Sequence, residues 1–111
     1  VLLWALLNAT LQTGLKNPLD EAIANTQPGQ EDLSGFTKID EIPYDFVRKR
    51  LSVAVQQGAR EQILITKGAV QNVLDACAFV QGPHGPKSLG PAERQAIEEK
   101  FRHWSAQGYR V

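Results

Sequence analysis

The spacing of hydrophobic positions predicts two helices at the start of the chain. A nearly unbroken apolar run opens the sequence and predicts a buried helix over residues 1–13, followed by Gly14. Glycine is common just past a helix end. Asn17 and Pro18 then indicate a second start, because asparagine caps helices and proline suits their first position. Asp20 follows at the spacing from which a carboxylate can reach back toward the cap.

The middle of the chain has the alternation that is typical of strands. Apolar and polar residues alternate over residues 36–42, which predicts a half-buried strand. Two further runs, residues 51–55 and 62–66, flank a turn near Gly58 and predict an antiparallel hairpin. This part of the chain therefore predicts an antiparallel sheet.

The last part of the chain predicts two more helices with a loop between them. The first helix has an apolar stripe at three- and four-residue spacing, formed by Val70, Val73, Leu74, Cys77 and Ala78. Residues 81–87 are rich in glycine and proline and are expected to form a loop. A long helix is predicted over residues 91–108, with a buried stripe of Ile97, Phe101 and Trp104. Residues 109–111 are predicted to begin another strand.

This order of elements predicts an α+β fold, an antiparallel β-sheet flanked by helices, in a single domain over residues 1–111. Twelve basic residues balance twelve acidic ones, so neither nucleic acid nor an anionic membrane is an expected partner. The opening apolar run is much shorter than the roughly 20 residues of a spanning helix. Cys77 is the single cysteine, which excludes an internal disulfide and indicates a reducing compartment. Since the sequence contains no methionine, we expect a piece of a longer protein.

Catalytic and metal-binding patterns are weak. His84 lies in the predicted loop and His103 on the last helix, without the spacing of a metal site. Ser52 lies in a strand and lacks the sharp strand-to-helix turn of a nucleophilic serine. We therefore predict no catalytic residue and no metal site in this chain.

Two segments combine residue types that suit a nucleotide. In residues 40–53, Tyr44 offers a ring on which a base can stack, and Lys49 offers a charge for phosphate. The alternative interpretation is a core aromatic residue beside a solvated run of charge. Further on, Lys67 and Gly68 end a strand and precede a helix start, which favours anions. Alone, that pair is equally compatible with an ordinary strand-to-helix turn.

In this order the segments resemble the nucleotide-binding domain of the P-type ATPases. Residues 40–55 are similar to the family's strand-and-cation segment, and residues 64–77 to its Lys-Gly-Ala segment and following helix. Residues 108–111 resemble the start of its arginine strand. Residues 12–23 resemble the bacterial magnesium-transporting branch in particular, and Phe46, where calcium pumps carry a basic residue, favours the same branch. The similarity covers nearly the whole chain.

The resemblance implies nucleotide-binding roles for individual residues. Tyr44 matches the adenine-stacking aromatic residue, and Lys67 matches the lysine that lines the adenine pocket, with Gly68 leaving room for the ligand. Lys49 matches a cation near the nucleotide, and Arg110 matches an arginine that reaches toward phosphate. The implied ligand is ATP, bound as Mg-ATP in the intact enzyme.

Asp20 matches an acidic residue that relatives place near the base, and the alternative role for it is helix capping. The resemblance also implies the cytoplasmic domain of a plasma (inner) membrane pump that couples ATP hydrolysis to cation transport, in particular magnesium import. Its partners would be the phosphorylation and actuator domains and the transmembrane helices of the same intact chain. The family's phosphorylated aspartate motif is not in this sequence, so we expect the chain to bind ATP without hydrolysing it.

Two alternatives stay open at this point. The chain can be a non-catalytic interaction domain of the same fold that has lost nucleotide binding. It can also be the same domain from a P-type pump for another cation, such as calcium, because ion ligands would lie in membrane helices outside this sequence.

Overall fold

The structure is a computed structural model that describes residues 1–14, 17–26 and 32–111. These residues form two compact units, Val1–Gly68 and Ala69–Val111. The elements of the N-terminal unit are α1 (Leu2–Leu11), α2 (Pro18–Asn25), β1 (Phe36–Asp45), β2 (Arg50–Gln57) and β3 (Glu61–Gly68). Those of the C-terminal unit are α3 (Val70–Leu74), β4 (Phe79–Gly82), β5 (Gly85–Ser88) and α4 (Pro91–Ala106).

Helices combined with antiparallel sheets confirm the predicted α+β fold. The assignment of residues 1–111 to a single domain stays a prediction. No helix in the described ranges has both the length and the apolar character needed to cross a membrane.

Helix α1 covers one face of the sheet in the N-terminal unit. Its Leu7 packs in a buried cluster whose other members come from the strands: Leu51, Val53, Val55 and Ile65. Alternate residues of a strand share a face, so the three members on β2 all point toward α1. Burying each such side chain stabilises the fold by about 1.5–3 kcal/mol. The helix ends at Leu11, earlier than predicted, because Gln12 has an extended backbone with ψ 145°.

The start of α2 follows the predicted capping chemistry. The side chain of Asn17 accepts a hydrogen bond of 2.9 Å from the backbone N–H of Asp20, and Pro18 is the first helical residue. Asp20 therefore serves the cap through its backbone. Its carboxylate turns inward instead, and only 2% of the residue is exposed.

The sheet of the N-terminal unit has the order β1-β2-β3, and both pairs are antiparallel. The predicted hairpin is confirmed, with Gln57 opposite Glu61 at its closed end. Gly58 has φ 61° in the connecting turn, a conformation that glycine adopts without steric cost. Strand β1 continues beyond the predicted residue 42 as far as Asp45, through two irregularities in its register.

The C-terminal unit contains a hairpin where the sequence predicts a loop. Strands β4 and β5 pair from Phe79 opposite Ser88 to Gly82 opposite Gly85. Gly85 has φ 111°, so a glycine completes a tight turn that composition alone marks as irregular. The prediction of a loop over residues 81–87 is therefore wrong.

Helix α3 is shorter than its apolar stripe predicts. It ends at Leu74, and Cys77 is exposed rather than part of the core. The backbone N–H of Cys77 bonds to the carbonyl of Leu74 at 3.1 Å, in a turn that leads the chain into β4. The stripe therefore continues in sequence after the helix has ended.

Helix α4 confirms the predicted long helix but not its buried stripe. Of its described residues none is buried, and Trp104 is 41% exposed. Arg94 instead ties this helix to α3, with hydrogen bonds to Asp75 at 2.6 Å and to Gln71 at 3.1 Å. Residues 109–111 have no regular secondary structure, because in the described part of the chain no strand pairs with them.

Close backbone packing explains the glycine at the end of β3. A Cβ atom on Gly68 would lie 2.2 Å from the carbonyl oxygen of Lys49. We expect Gly68→Ala to lower the free energy of unfolding by about 1–3 kcal/mol, since the backbone must shift to admit the methyl group. Gly35→Ala is the matched control, because a Cβ there meets nothing within 4 Å. Equal urea midpoints for the two variants would contradict this account.

Candidate functional site

A cleft of about 310 Å³ opens in the N-terminal unit between the residues that follow α1 and the second half of β1. Its lining residues are Gln12, Thr13, Gly14, Glu41, Pro43, Tyr44, Phe46 and Leu51. None of these carries a positive charge. The volume is at the lower end of the roughly 300–1,000 Å³ of small-molecule sites. With Glu41 in the lining and no cation there, the cleft suits a compact group without negative charge.

Two aromatic rings form one wall of the cleft. Tyr44 and Phe46 meet edge to face, with ring centroids 5.1 Å apart and an interplanar angle of 83°. Tyr44 is 48% exposed, so it is not the core aromatic residue of the alternative interpretation. Phe46 is 85% exposed. Exposed aromatic rings beside a cleft offer area on which a flat ligand can stack.

Asp45 fixes the loop that follows Tyr44 and carries Phe46. Its Oδ1 accepts hydrogen bonds of 2.8 Å from the backbone N–H groups of Val47 and Arg48, and its Oδ2 accepts one of 2.8 Å from Arg48 Nε. The backbone N–H of Arg48 does most to lower the pKa of Asp45 to about 2, followed by the Arg48 side chain. Lys49 completes the loop with φ 51°, and its N–H bonds to the Asp45 carbonyl at 2.6 Å.

Asp20 is the centre of a buried polar cluster next to the cleft. Its Oδ1 accepts a hydrogen bond from Lys67 Nζ, and its Oδ2 accepts one of 2.7 Å from Gln12 Nε2. Lys67 lies opposite Leu51 in the ladder, so both side chains are on the same face of the sheet. Since Leu51 and Gln12 line the cleft, the cluster adjoins it directly.

Partner groups keep the Asp20 carboxylate ionised. Burial is the largest influence and would raise the pKa of Asp20, but hydrogen bonds from Lys67 and Gln12 and the charge of Lys67 together hold it below its usual value. The charge of Lys67 is correspondingly paired with that of Asp20.

Glu41 ties the opposite sides of the cleft together. It accepts hydrogen bonds from the backbone N–H of Thr13 at 3.1 Å and from Thr13 Oγ1 at 2.8 Å. Lys38 Nζ bonds to the same carboxylate at 2.6 Å, and this hydrogen bond is the main reason that the pKa of Glu41 is lowered. Because Thr13 follows α1 and Glu41 belongs to β1, these bonds help to set the width of the opening.

The structure brings some of the sequence-predicted site residues together and leaves others apart. Tyr44 lines the cleft, and Asp20 and Lys67 form an ion pair beside it. Gly68 follows Lys67, but the space above it holds the backbone of Lys49 and not the cleft. The ligand roles assigned to these residues stay predictions.

The two predicted phosphate contacts are exposed. Lys49 lies in the loop after β1, and its ammonium makes no hydrogen bond or ion pair within residues 1–14, 17–26 and 32–111. Arg110 is exposed in the C-terminal unit, after α4. Both roles stay predictions too.

Sequence reasoning gave no individual role to three polar residues at the cleft: Gln12, Thr13 and Glu41. All three fall inside segments that resemble the P-type ATPases, but their roles depend on contacts between distant parts of the chain. Among the residues that the structure describes, no three His, Cys, Asp or Glu side chains are grouped so that they could hold a metal ion.

Comparison with known families gives the class of the protein. Residues 4–111 match the model of the family described as "P-type ATPase, cytoplasmic domain N". The chain belongs to this family, which confirms the resemblance found in its sequence.

Individual relatives place the chain near one branch of the family. It is 43% identical over 80 residues to a "Magnesium-transporting ATPase, P-type 1" of Escherichia coli, an alignment that covers 69% of this chain and 9% of the relative. A relative of the same name from Salmonella typhimurium is 45% identical over 84 residues, covering 73% and 9%. A second one from that organism is 34% identical over 115 aligned positions, covering 100% and 13%. The similarity to the magnesium-transporting branch is thereby confirmed, and the chain spans about a tenth of the length of these relatives.

Removing the Asp20 carboxylate should destabilise the N-terminal unit. Asp20→Ala leaves Lys67 and Gln12 without their partner, and we expect it to lower the free energy of unfolding by about 1–3 kcal/mol at neutral pH. Glu21→Ala, at an exposed position on the same helix, is the control. Urea titration at several pH values measures both variants.

The same variant makes a prediction about pH. Folding lowers the pKa of Asp20, so its contribution is complete above the unfolded pKa of about 3.9 and is lost as pH falls toward the folded value. The difference between wild type and Asp20→Ala should therefore shrink below about pH 4. A difference that grows on acidification would refute the ion pair.

Proposed function

We propose that this chain is the ATP-binding domain of a P-type ATPase that couples ATP hydrolysis to cation transport, and that the intact protein imports magnesium across the plasma (inner) membrane. The observation that carries the proposal is the cleft beside Tyr44, a largely apolar opening with an aromatic wall and no cation in its lining. Family membership and the names of the relatives support the pump assignment.

The adenine base fits the chemistry of the cleft. A purine is flat and uncharged, and it can stack on Tyr44, which is 48% exposed. Stacking of a base on an aromatic side chain contributes about 1–3 kcal/mol. Pro43 and Leu51 supply further apolar surface, and the bonds between Glu41 and Thr13 hold the opening in place before a ligand arrives. A preformed site spends less of its binding energy on ordering.

The phosphates of ATP require cations outside the cleft. Lys49 is suited to this role because it is exposed and lies in the same loop as Phe46, which lines the cleft. Arg110 is the second proposed contact. Lys67 and Asp20 act on the base side of the site, where each neutralises the other, and Gly68 lets the backbone of Lys49 approach β3.

In the intact pump the bound nucleotide would be Mg-ATP, presented to an aspartate in another part of the protein. Phosphoryl transfer to that aspartate would give an acyl phosphate whose turnover drives transport. Its partners are the phosphorylation and actuator domains and the transmembrane helices of the same chain. Transport of another cation, such as calcium, is the alternative within the family.

A second candidate is a non-catalytic interaction domain of the same fold. It is favoured by one observation, the ion pair in which Asp20 offsets the charge of Lys67. Nucleotide titration of the 111-residue chain separates the two functions. We expect an affinity for ATP on the order of millimolar, about −4 to −5 kcal/mol, and NMR shifts concentrated at Tyr44 and the cleft. If no NMR signal shifts at up to several millimolar ATP, the interaction domain is the only one of the two functions that remains.

The role of Tyr44 can be tested by changing its ring. Tyr44→Phe should bind nucleotide about as well as wild type, whereas Tyr44→Ala should lose roughly 1–3 kcal/mol. Stacking does not involve the phosphates, so the loss should be equal for AMP, ADP and ATP. Tyr109→Ala, at an exposed position of the C-terminal unit, is the control. Unchanged affinity in Tyr44→Ala, with the melting temperature preserved, would show that the base binds elsewhere.

Alanine variants of Lys49 and Lys67 should differ in how their loss of affinity depends on the number of phosphates in the nucleotide. Lys49→Ala should weaken ATP much more than AMP, and added salt should erode that difference. Lys67→Ala should weaken both nucleotides equally, because its charge is directed to Asp20 on the base side. Calorimetric titration at two salt concentrations measures both. The assignment is reversed if the Lys67 variant is the one that discriminates ATP from AMP.

A further inference from the structure

Gln12 links the buried cluster to the cleft. It is only 6% exposed, yet it is one of the residues that line the opening. Its side-chain Nε2 donates a hydrogen bond of 2.7 Å to Asp20 Oδ2. The same amide therefore contacts the cluster on one side and borders the cleft on the other.

The chemistry of Asp20 decides which way the Gln12 amide is turned. An ionised carboxylate only accepts hydrogen bonds, so the amide must present its NH₂ group to Asp20. The other carboxylate oxygen is already bonded to Lys67, which only donates. Lys67 and Asp20 together leave the Gln12 amide a single favourable orientation.

The amide oxygen is thereby directed away from Asp20. No described residue donates a hydrogen bond to Gln12 Oε1. Because Gln12 is a buried residue that lines the cleft, we take this oxygen to face the cleft.

We propose that Gln12 is a specificity-determining residue that makes the cleft select a ring bearing an amino group. The inference rests on the proposed function, and for a purine it means a preference for the 6-amino over the 6-oxo ring. The amino group donates to Oε1, whereas a 6-oxo group places a second acceptor against it. Two facing acceptors leave a desolvated polar group unpaired, which is the costly case for binding.

AMP and IMP are the probes, because they have the same ribose and phosphate and differ in the group at position 6. Wild type should bind AMP about tenfold more tightly than IMP, the size expected for one mispaired polar contact. Gln12→Met keeps much of the side-chain length but removes both polar atoms, so it should bring the ratio close to one. Gln62→Met, at an exposed position on β3, is the control and should keep the wild-type ratio.

Asp20→Asn gives a second test, in which Gln12 itself is unchanged. Because Lys67 only donates, the new amide should turn its oxygen to Lys67 and its NH₂ group to Gln12. The Gln12 amide must then rotate and present its own NH₂ group to the cleft. The preference should reverse, so that IMP binds more tightly than AMP.

Calorimetric titration of each folded variant with AMP and IMP separates this inference from the proposed function. If wild type binds both equally and Tyr44→Ala weakens both, the nucleotide site stands and the role of Gln12 is refuted. An unchanged ratio in Gln12→Met, with both affinities lowered, refutes it as well. If neither nucleotide binds, both proposals fail. If Gln12→Met does not fold, the ratio of AMP to IMP affinity in wild type and in Asp20→Asn still tests the role of Gln12.

Discussion

The N-terminal unit depends on one buried carboxylate. Asp20 lies in the first turn of α2, receives Lys67 from the end of β3 and receives Gln12 from the residues that follow α1. A buried charge is tolerated only when its oxygens are bonded, so these three parts of the chain cannot separate without exposing or stranding it. The apolar cluster around Leu7 packs α1 on the sheet, but the ion pair determines where the end of β3 meets the helices.

The cleft exists because adjacent residues are anchored in different directions. Gln12 is bonded to Asp20, whereas Thr13 is bonded to Glu41 on β1. The residues after α1 are thus anchored both to the buried cluster and to strand β1. The rings of Tyr44 and Phe46 form the remaining side of the cleft. Asp45 fixes the loop after β1 from within. Each wall is therefore positioned by hydrogen bonds that form before any ligand binds, which lowers the cost of ordering the site.

Local signals predicted the fold where local chemistry decides it. The cap at Asn17 and the β2–β3 hairpin follow from short-range pattern, and both are confirmed. The β4–β5 hairpin was missed because the glycine-rich sequence around Gly85 marks a turn without indicating what flanks it. Cys77 belongs to the predicted apolar stripe but is exposed, because such a stripe does not show where a helix ends.

The candidate site was likewise only partly predictable from local sequence. Tyr44 was predicted from its residue type and the family resemblance, whereas the partners of Asp20 are 8 and 47 residues away in the sequence. Such distant contacts exist only once the sheet has formed, so no local pattern contains them. They also determine what Lys67 can do. Its positive charge is offset by Asp20 in a cluster that borders the cleft, and under the proposed function an uncharged ring would fit there better than a phosphate. Under the proposed function the attraction for phosphate would then come from exposed cations, and Lys49, in the loop next to the aromatic wall, is exposed.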